Sequence, residues 1–281
     1  MNNTLTPALI SNLDIVALFS RLNLPYVDRD GGQKLPQMLK ELETVTYTKT
    51  FTPGLGLVVN KQENPRMVIM SHMDLVTPFN RGFENKRSYE LYEKTLTGAL
   101  DNTITNTMLI LLIRELESLG IHDIEYVFSE GEESGLWGCT EYMKQNKDHA
   151  ENALFINLDV THDGFGTCGS IEFDSPLKSE LKDICAALVP LHKSYHIQNV
   201  RDFDDMNAIL RYGGKGFGYC LPTEGNMHSF ANSCDFFKLY DYYTGLFAFA
   251  TTMSLSDSQQ EIDSEKFHKI VEKHYTKKIW Y

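Results

Sequence analysis

Five short segments carry side chains able to hold a metal or move a proton, and each lies near the end of an apolar run. In MVIMSHMD, His72 and Asp74 are two apart, so on an extended chain they project to the same side. That suits a metal-binding imidazole whose tautomer a carboxylate fixes; a hydrogen-bonded surface pair is the plainer alternative. In GALDN, Asp101 and Asn102 follow a glycine-containing loop at the mouth of a long apolar helical stretch. An aspartate there either caps the helix or bridges two cations through its two oxygens. FSEGEESGLWG sets Glu130, Glu132 and Glu133 within four positions after the strand-like IEYVF, a crowding that positive charge would have to offset. ALFINLDVTHD ends an apolar run in Asp159, with His162 and Asp163 beyond it, and LPTEGNMHS offers His228 in a loop after the run ending at Cys220.

These residues need a frame, and the apolar patterning supplies one. Strand-like runs cover 45–51, 54–60, 67–73, 124–129, 153–160 and 214–220. Helical patterns cover 11–22, 33–43, 102–118, 136–145, 176–188, 205–212, 235–253 and 263–274. Alternation of the two, with several wholly apolar strands, predicts an α/β fold. It is a three-layer αβα arrangement around a central, mostly parallel mixed sheet. An open sheet of this kind places its site at the carboxyl ends of its strands, where the five segments fall. No long linker, low-complexity tract or repeat interrupts residues 1–281, so a single catalytic domain is expected. The stretch from Asp235 is dense in aromatics, including Phe236, Phe237, Tyr240, Tyr242, Tyr243, Phe247 and Phe249. A helix packed across the sheet accounts for them; a homo-oligomer contact is the other use of such a face.

Bulk properties narrow the partners. The formal net charge of −12 argues against nucleic acid and against an acidic membrane surface. No apolar run approaches the roughly 20 residues of a membrane span. The start MNNTLTPALISNLD has neither the basic residues nor the apolar core of an export signal. Cysteines at 139, 168, 185, 220 and 234 form no CxxC pair and are odd in number, which reads as reduced thiols and a cytoplasmic chain. His122, His149, His192, His196, His268 and His274 sit in polar surroundings and read as surface residues.

Taken in order, the motifs SHMD, GALDN, GEESG, NLDV and MHS give His, Asp, Glu-Glu, Asp, His across residues 72–228. In this the chain resembles the co-catalytic zinc exopeptidases, the superfamily of the leucyl-type aminopeptidases, the tetrahedral glutamyl aminopeptidases and the aminoacylase-like deacylases. The resemblance implies one metal ion on His72 and Asp159, a second on Glu133 and His228, and Asp101 bridging them. It implies Glu132 as general base, Asp74 steadying His72, and a cis peptide bond between Asp101 and Asn102. The ions would be two divalent cations, Zn²⁺ by the mixed nitrogen and oxygen ligands, with Mn²⁺ or Co²⁺ able to occupy the site. Such a pair activates one water and polarises a carbonyl, while a free carboxylate transfers the proton. Glu130 falls outside the matched motif. The segment RDFDDMNAILRYGG is similar to one in which an aspartate precedes a short helix near the site, although Asp205 reads more simply as a helix N-cap.

Spacing sorts the relatives. Only 26 residues separate Asp74 from Asp101, and 68 separate Asp159 from His228, so neither gap holds an added domain. The layout is similar to the compact leucyl-type enzymes, while LDVTHD and MHS are worded like the tetrahedral group. The expected function is a dinuclear metal aminopeptidase acting on a peptide or small amide. The alternatives are a deacylase of N-acyl amino acids, a one-zinc glutaminyl cyclase and a metal-binding relative without catalysis. Glu132 speaks against the last, since a purely structural metal site has no use for an unligated base.

Overall fold

The structure is a computed structural model that describes residues 10–76, 89–162, 169–173, 195–199 and 204–255. Its apolar runs become the strands β3 (Met67–His72), β6 (Ile124–Ser129), β7 (Leu154–Thr161) and β10 (Lys215–Pro222). These four lie side by side in the order β6-β3-β7-β10, all parallel. The hairpin β1 (Lys49–Thr52) and β2 (Gly56–Val59) joins β6 antiparallel on one flank. On the other flank β8 (Gly169–Phe173) pairs antiparallel with β10 and parallel with β9 (Tyr195–Asn199). The described residues therefore form an eight-stranded mixed sheet, β1-β2-β6-β3-β7-β10-β8-β9. At Gly56 a side chain would meet the Phe128 carbonyl 2.0 Å away, so the close approach of β2 to β6 requires glycine.

The helices are α1 (Asn12–Leu22), α2 (Lys34–Glu41), α3 (Thr103–Ser118), α4 (Trp137–Gln145), α5 (Lys147–Asn152), α6 (Asp205–Arg211) and α7 (Lys238–Leu255). Period-two alternation within each strand decides which layer its side chains join. Met67 and Ile69 of β3, with Tyr126 and Phe128 of β6, pack into a core shared with α1, α2, α3 and α7. Val68 and Met70, with Val127, pack into the opposite core beneath α4, α5 and α6. Burial on both faces is why these strands are apolar at nearly every position.

Several expectations are corrected here. The stretch from 235 does not begin as a helix: Ser233–Asp235 is a strand, β11, and α7 starts at Lys238. β11 belongs to a small antiparallel sheet with β5 (Thr95–Gly98) and β4 (Tyr89–Tyr92), in the order β11-β5-β4. These short strands, together with β8, β9 and α5, carry too little apolar patterning to be seen in the sequence. The aromatics of α7 pack on the chain's own sheet: the Tyr242 ring stacks on Tyr219 at 4.5 Å and Phe249 meets Phe217 edge-on at 5.2 Å. His149 is buried rather than superficial, 3.0 Å from the Tyr142 hydroxyl. The helices expected over 176–188 and 263–274, and Cys168, Cys185 and Asp163, lie outside the described residues. Among the described residues no helix is long and apolar enough to cross a membrane.

Candidate metal centre

The parallel strands deliver the candidate side chains to one edge of the sheet. His72 is the last residue of β3, paired in register with Ser129 at the end of β6, and Ser71 is paired with Leu158, the neighbour of Asp159. The GEESG turn follows β6 directly. β5 runs into Asp101, and the loop after β10 carries His228. That loop is closed by mutual backbone hydrogen bonds between Glu224 and Ser233 and by Asn232, whose Nδ2 donates to the Glu224 carbonyl and Thr223 Oγ1, each at 3.0 Å.

Five side chains converge. The two oxygens of Asp101 face different imidazoles, Oδ1 at 3.1 Å from His72 Nε2 and Oδ2 at 3.5 Å from His228 Nε2. Asp159 Oδ1 lies 3.7 Å from His72 Nε2, and Glu133 Oε2 lies 3.2 Å from His228 Nε2. His72, Asp101 and Asp159 thus form one group of three donors within 4.8 Å of one another, and Asp101, Glu133 and His228 form another. A third grouping of His72, Glu132 and Glu133 also exists, but its Glu132 Oε2 stands 4.0 Å from His72 Nε2, the longest of these contacts. The first two groupings each combine an imidazole with two carboxylates and share Asp101. The peptide bond between Asp101 and Asn102 is cis. Asp101 is not the cap of α3, since Asn102 holds the N-cap position without a side-chain capping bond.

The electrostatics of this cluster call for cations. Burial pushes the Glu132 carboxyl up to about 10; His72 opposes the shift, and Asp159, Asp205 and Glu133 add to it. Burial, then Asp101, pushes Glu133 up to about 8. Glu133 Oε1 is buried with no hydrogen-bond partner, a lone pair facing nothing in the protein that would satisfy it. A hard or borderline divalent ion, with imidazole and carboxylate ligands, fits such a donor set.

Asp74 does more than its spacing suggested. Its Oδ1 is 3.4 Å from His72 Nδ1, which leaves the Nε2 edge turned to Asp101 and Asp159. The same carboxylate accepts the backbone N–H groups of Glu132 and Glu133, each at 3.2 Å, so it registers the adjacent glutamates against the imidazole. Burial alone would raise its pKa, yet His72 and those two N–H groups hold it below the ordinary carboxylate value.

The first turn of α3 stitches together the strands that carry the candidate ligands. Asn106 Nδ2 donates to the His72 carbonyl at 3.0 Å, and Asn102 Nδ2 donates to the Leu158 carbonyl at 2.8 Å. Ser71 Oγ donates to Asn106 Oδ1 at 3.0 Å. The polar DNTITN at the head of an otherwise apolar helix was the legible sign of this role. Asp205 is not the N-cap of α6, a position held by Asp204. Instead it is fully buried and accepts a hydrogen bond from Ser129 Oγ at 2.5 Å, beneath the turn that bears Glu132. His162 is exposed.

Glu130, which had no expected role, is the anchor of the turn. It is fully buried and accepts the Tyr26 hydroxyl, the Arg29 N–H at 2.8 Å and the Gly54 N–H at 2.6 Å. Beside it the Trp137 indole lies over Gly131, where an added Cβ would fall 1.8 Å from the ring and the backbone has φ +66°. Glu130→Gln keeps the size but loses one accepting oxygen. It is expected to lower the unfolding free energy by about 1–3 kcal/mol with metal stoichiometry unchanged. Denaturant midpoints at constant m check this; an unchanged midpoint would show that the bonds to the lost oxygen stabilise nothing.

Comparison with known proteins places the fold and the family. The model of peptidase family M28 matches residues 56–220, more than half of the chain and all the converging residues except His228. No curated protein matches. Among solved structures, the TET aminopeptidase of a marine-sediment Thaumarchaeota archaeon superposes with a TM-score of 0.67 at 12% identity, covering 92% of this chain and 100% of that one. The aminopeptidase PepT of Bacillus cereus gives 0.63 at 12% identity, covering 86% and 99%. The Pyrococcus horikoshii TET1 peptidase, which can assemble into a tetrahedron or a large octahedral shell, gives 0.63 at 13% identity, covering 85% and 99%. At these identities the superpositions establish a shared fold, and with the matched span they lead to one conclusion: the chain belongs to peptidase family M28.

Proposed function

We propose that this chain is a dinuclear metallo-aminopeptidase that hydrolyses the amide bond following a free N-terminal residue. The observation that carries the reading is Asp101, one carboxylate with a separate imidazole at each oxygen. His72 and Asp159 would hold one ion, Glu133 and His228 would hold the second, and Asp101 would serve both. Zinc is the ion these ligands favour, with manganese or cobalt as substitutes. When bound, two such cations supply an acidified water and a polarised scissile carbonyl.

The remaining work falls to this chain's own groups. Glu132 Oε2 accepts the proton of the attacking water and passes it to the nitrogen of the leaving amine. Asp74 keeps Glu132 in reach by holding its backbone N–H, and keeps the His72 ring in one orientation. The excess of carboxylates suits a substrate whose α-amine is positively charged. That favours peptides over N-acyl amino acids, as does the aminopeptidase activity named for the structural relatives. Buried thiols at Cys139 and Cys234 support a cytoplasmic placement, and self-association is proposed by analogy with the assembling Pyrococcus horikoshii peptidase.

A panel of fluorogenic aminoacyl amides tests the proposal, with Zn²⁺, Mn²⁺ or Co²⁺ returned to chelator-treated protein. Turnover is expected only after an ion is restored. N-acetylation of the same substrates is expected to lower kcat/KM by at least about 100-fold, because a site that reads a free amine leaves its acceptors unpaired with the blocked one. Faster cleavage of N-acyl amino acids than of free dipeptides would assign the chain to the deacylases instead.

A further inference from the structure

Behind the centre lies a buried lysine supplied by none of the segments that carry its candidate ligands. Lys34 opens α2, and although a lysine at the start of an amphipathic helix usually reaches out to water, this one has no solvent exposure. Its Nζ donates to the Met73 carbonyl and to Thr103 Oγ1, both at 3.0 Å. Met73 is the residue between His72 and Asp74, and Thr103 begins α3, two residues after Asp101. One side chain thus ties the His72–Asp74 turn to the Thr103 hydroxyl at the head of α3, two residues after Asp101.

Two neutral acceptors do not require an ammonium, since a carboxamide could donate to both. The charge is what remains to be explained, because burying it is costly unless it is compensated. Burial pulls the lysine down to about 7 even with the fields of Asp74 and Asp101 acting against that fall.

We infer that Lys34 is a positioning residue of the metal centre, holding the His72–Asp74 turn and the head of α3, and with them His72 and Asp101, at a set separation. It lies outside the span matched by the family model. The inference rests on the two-ion reading given above.

Lys34→Met, similar in length and uncharged, is the first test. Circular dichroism of the ion-free variant is expected to match the unaltered protein. Competition dialysis with elemental analysis is expected to show both ions held about 10–100-fold more weakly, the range for lost outer-shell partners. Manganese-loaded samples are expected to lose part of the electron-spin coupling between the two ions, a signal that reports their spacing independently of turnover. In assays kcat is expected to fall with KM nearly unchanged. Thr103→Val, which keeps the lysine but removes one acceptor, is expected to move the same readouts less far, and Thr103→Ser to restore them. If Lys34→Met does not fold, the Thr103 pair decides: equal ion affinity and coupling in Val and Ser variants overturns the role. Fewer than two ions in the unaltered protein would overturn the dinuclear reading and the lysine's role together. Two ions there, with affinity and coupling untouched in Lys34→Met, would overturn the lysine's role alone.

Discussion

Glu132→Gln is expected to lower kcat by about 10²–10⁴-fold while both ions stay bound. The amide preserves the volume of the side chain and the backbone bond to Asp74, which involves the N–H of residue 132 and not its side chain. What it removes is the oxygen able to accept a proton from water and return it to the departing amine. Loss in the chemical step with little change in KM separates this from a binding defect. The neighbouring substitution makes the contrast: Glu133→Gln is expected to lose one ion, because Glu133 Oε2 is the carboxylate oxygen 3.2 Å from His228. Elemental analysis beside initial rates reads both. If Glu132→Gln shed an ion and Glu133→Gln kept two, the roles of the adjacent glutamates would be exchanged, in line with the third donor grouping around His72.

Removal of the shared carboxylate should have the widest effect on the centre. Asp101→Ala is expected to weaken both ions, each by about 100-fold or more, since even outer-shell losses reach that range. His72→Ala and His228→Ala, by contrast, are each expected to weaken a different ion. The fold gives little reason for Asp101→Ala to act through the helix, because no side-chain cap is lost at the start of α3. Metal content after dialysis, measured on protein with an unchanged circular dichroism spectrum, is the check. Two ions still tightly held by Asp101→Ala would remove the bridging assignment.

Much of this arrangement could be read from residue order, and the parts that could not share a physical cause. The four parallel strands announce themselves because both their faces are buried, which leaves long apolar runs such as MVIM and FINL. The residues from His72 to His228 stand out because chemistry restricts their types and the strand ends restrict their places. β4, β5 and β11 stayed hidden because they are only three or four residues long and partly exposed. Glu130, Asp205 and Lys34 stayed hidden for another reason. Their partners are distant in the chain: Tyr26 lies 104 residues from Glu130, Ser129 lies 76 from Asp205, and Thr103 lies 69 from Lys34. No local pattern records such a pairing. Asp205 was also misassigned because Asp204 and Asp205 both look like caps, and only their packing distinguishes them.

The polar first turn of α3 bears on how this protein can change over time. Asn102 and Asn106 each hold a strand carbonyl beside a candidate ligand with one end of the amide and bond a hydroxyl with the other. A replacement at either position would strand a buried carbonyl next to the chemistry, and no single second substitution restores both ends at once. Drift is therefore blocked on this wall. Apart from His228 itself, the exposed rim is under less restraint. His228 keeps a side chain 49% exposed against 2% for His72, and the loop around it and the exposed stretch Val27–Asp30 meet water. New substrate preferences can accumulate there by ordinary neutral variation, one residue at a time, without disturbing the machinery behind them.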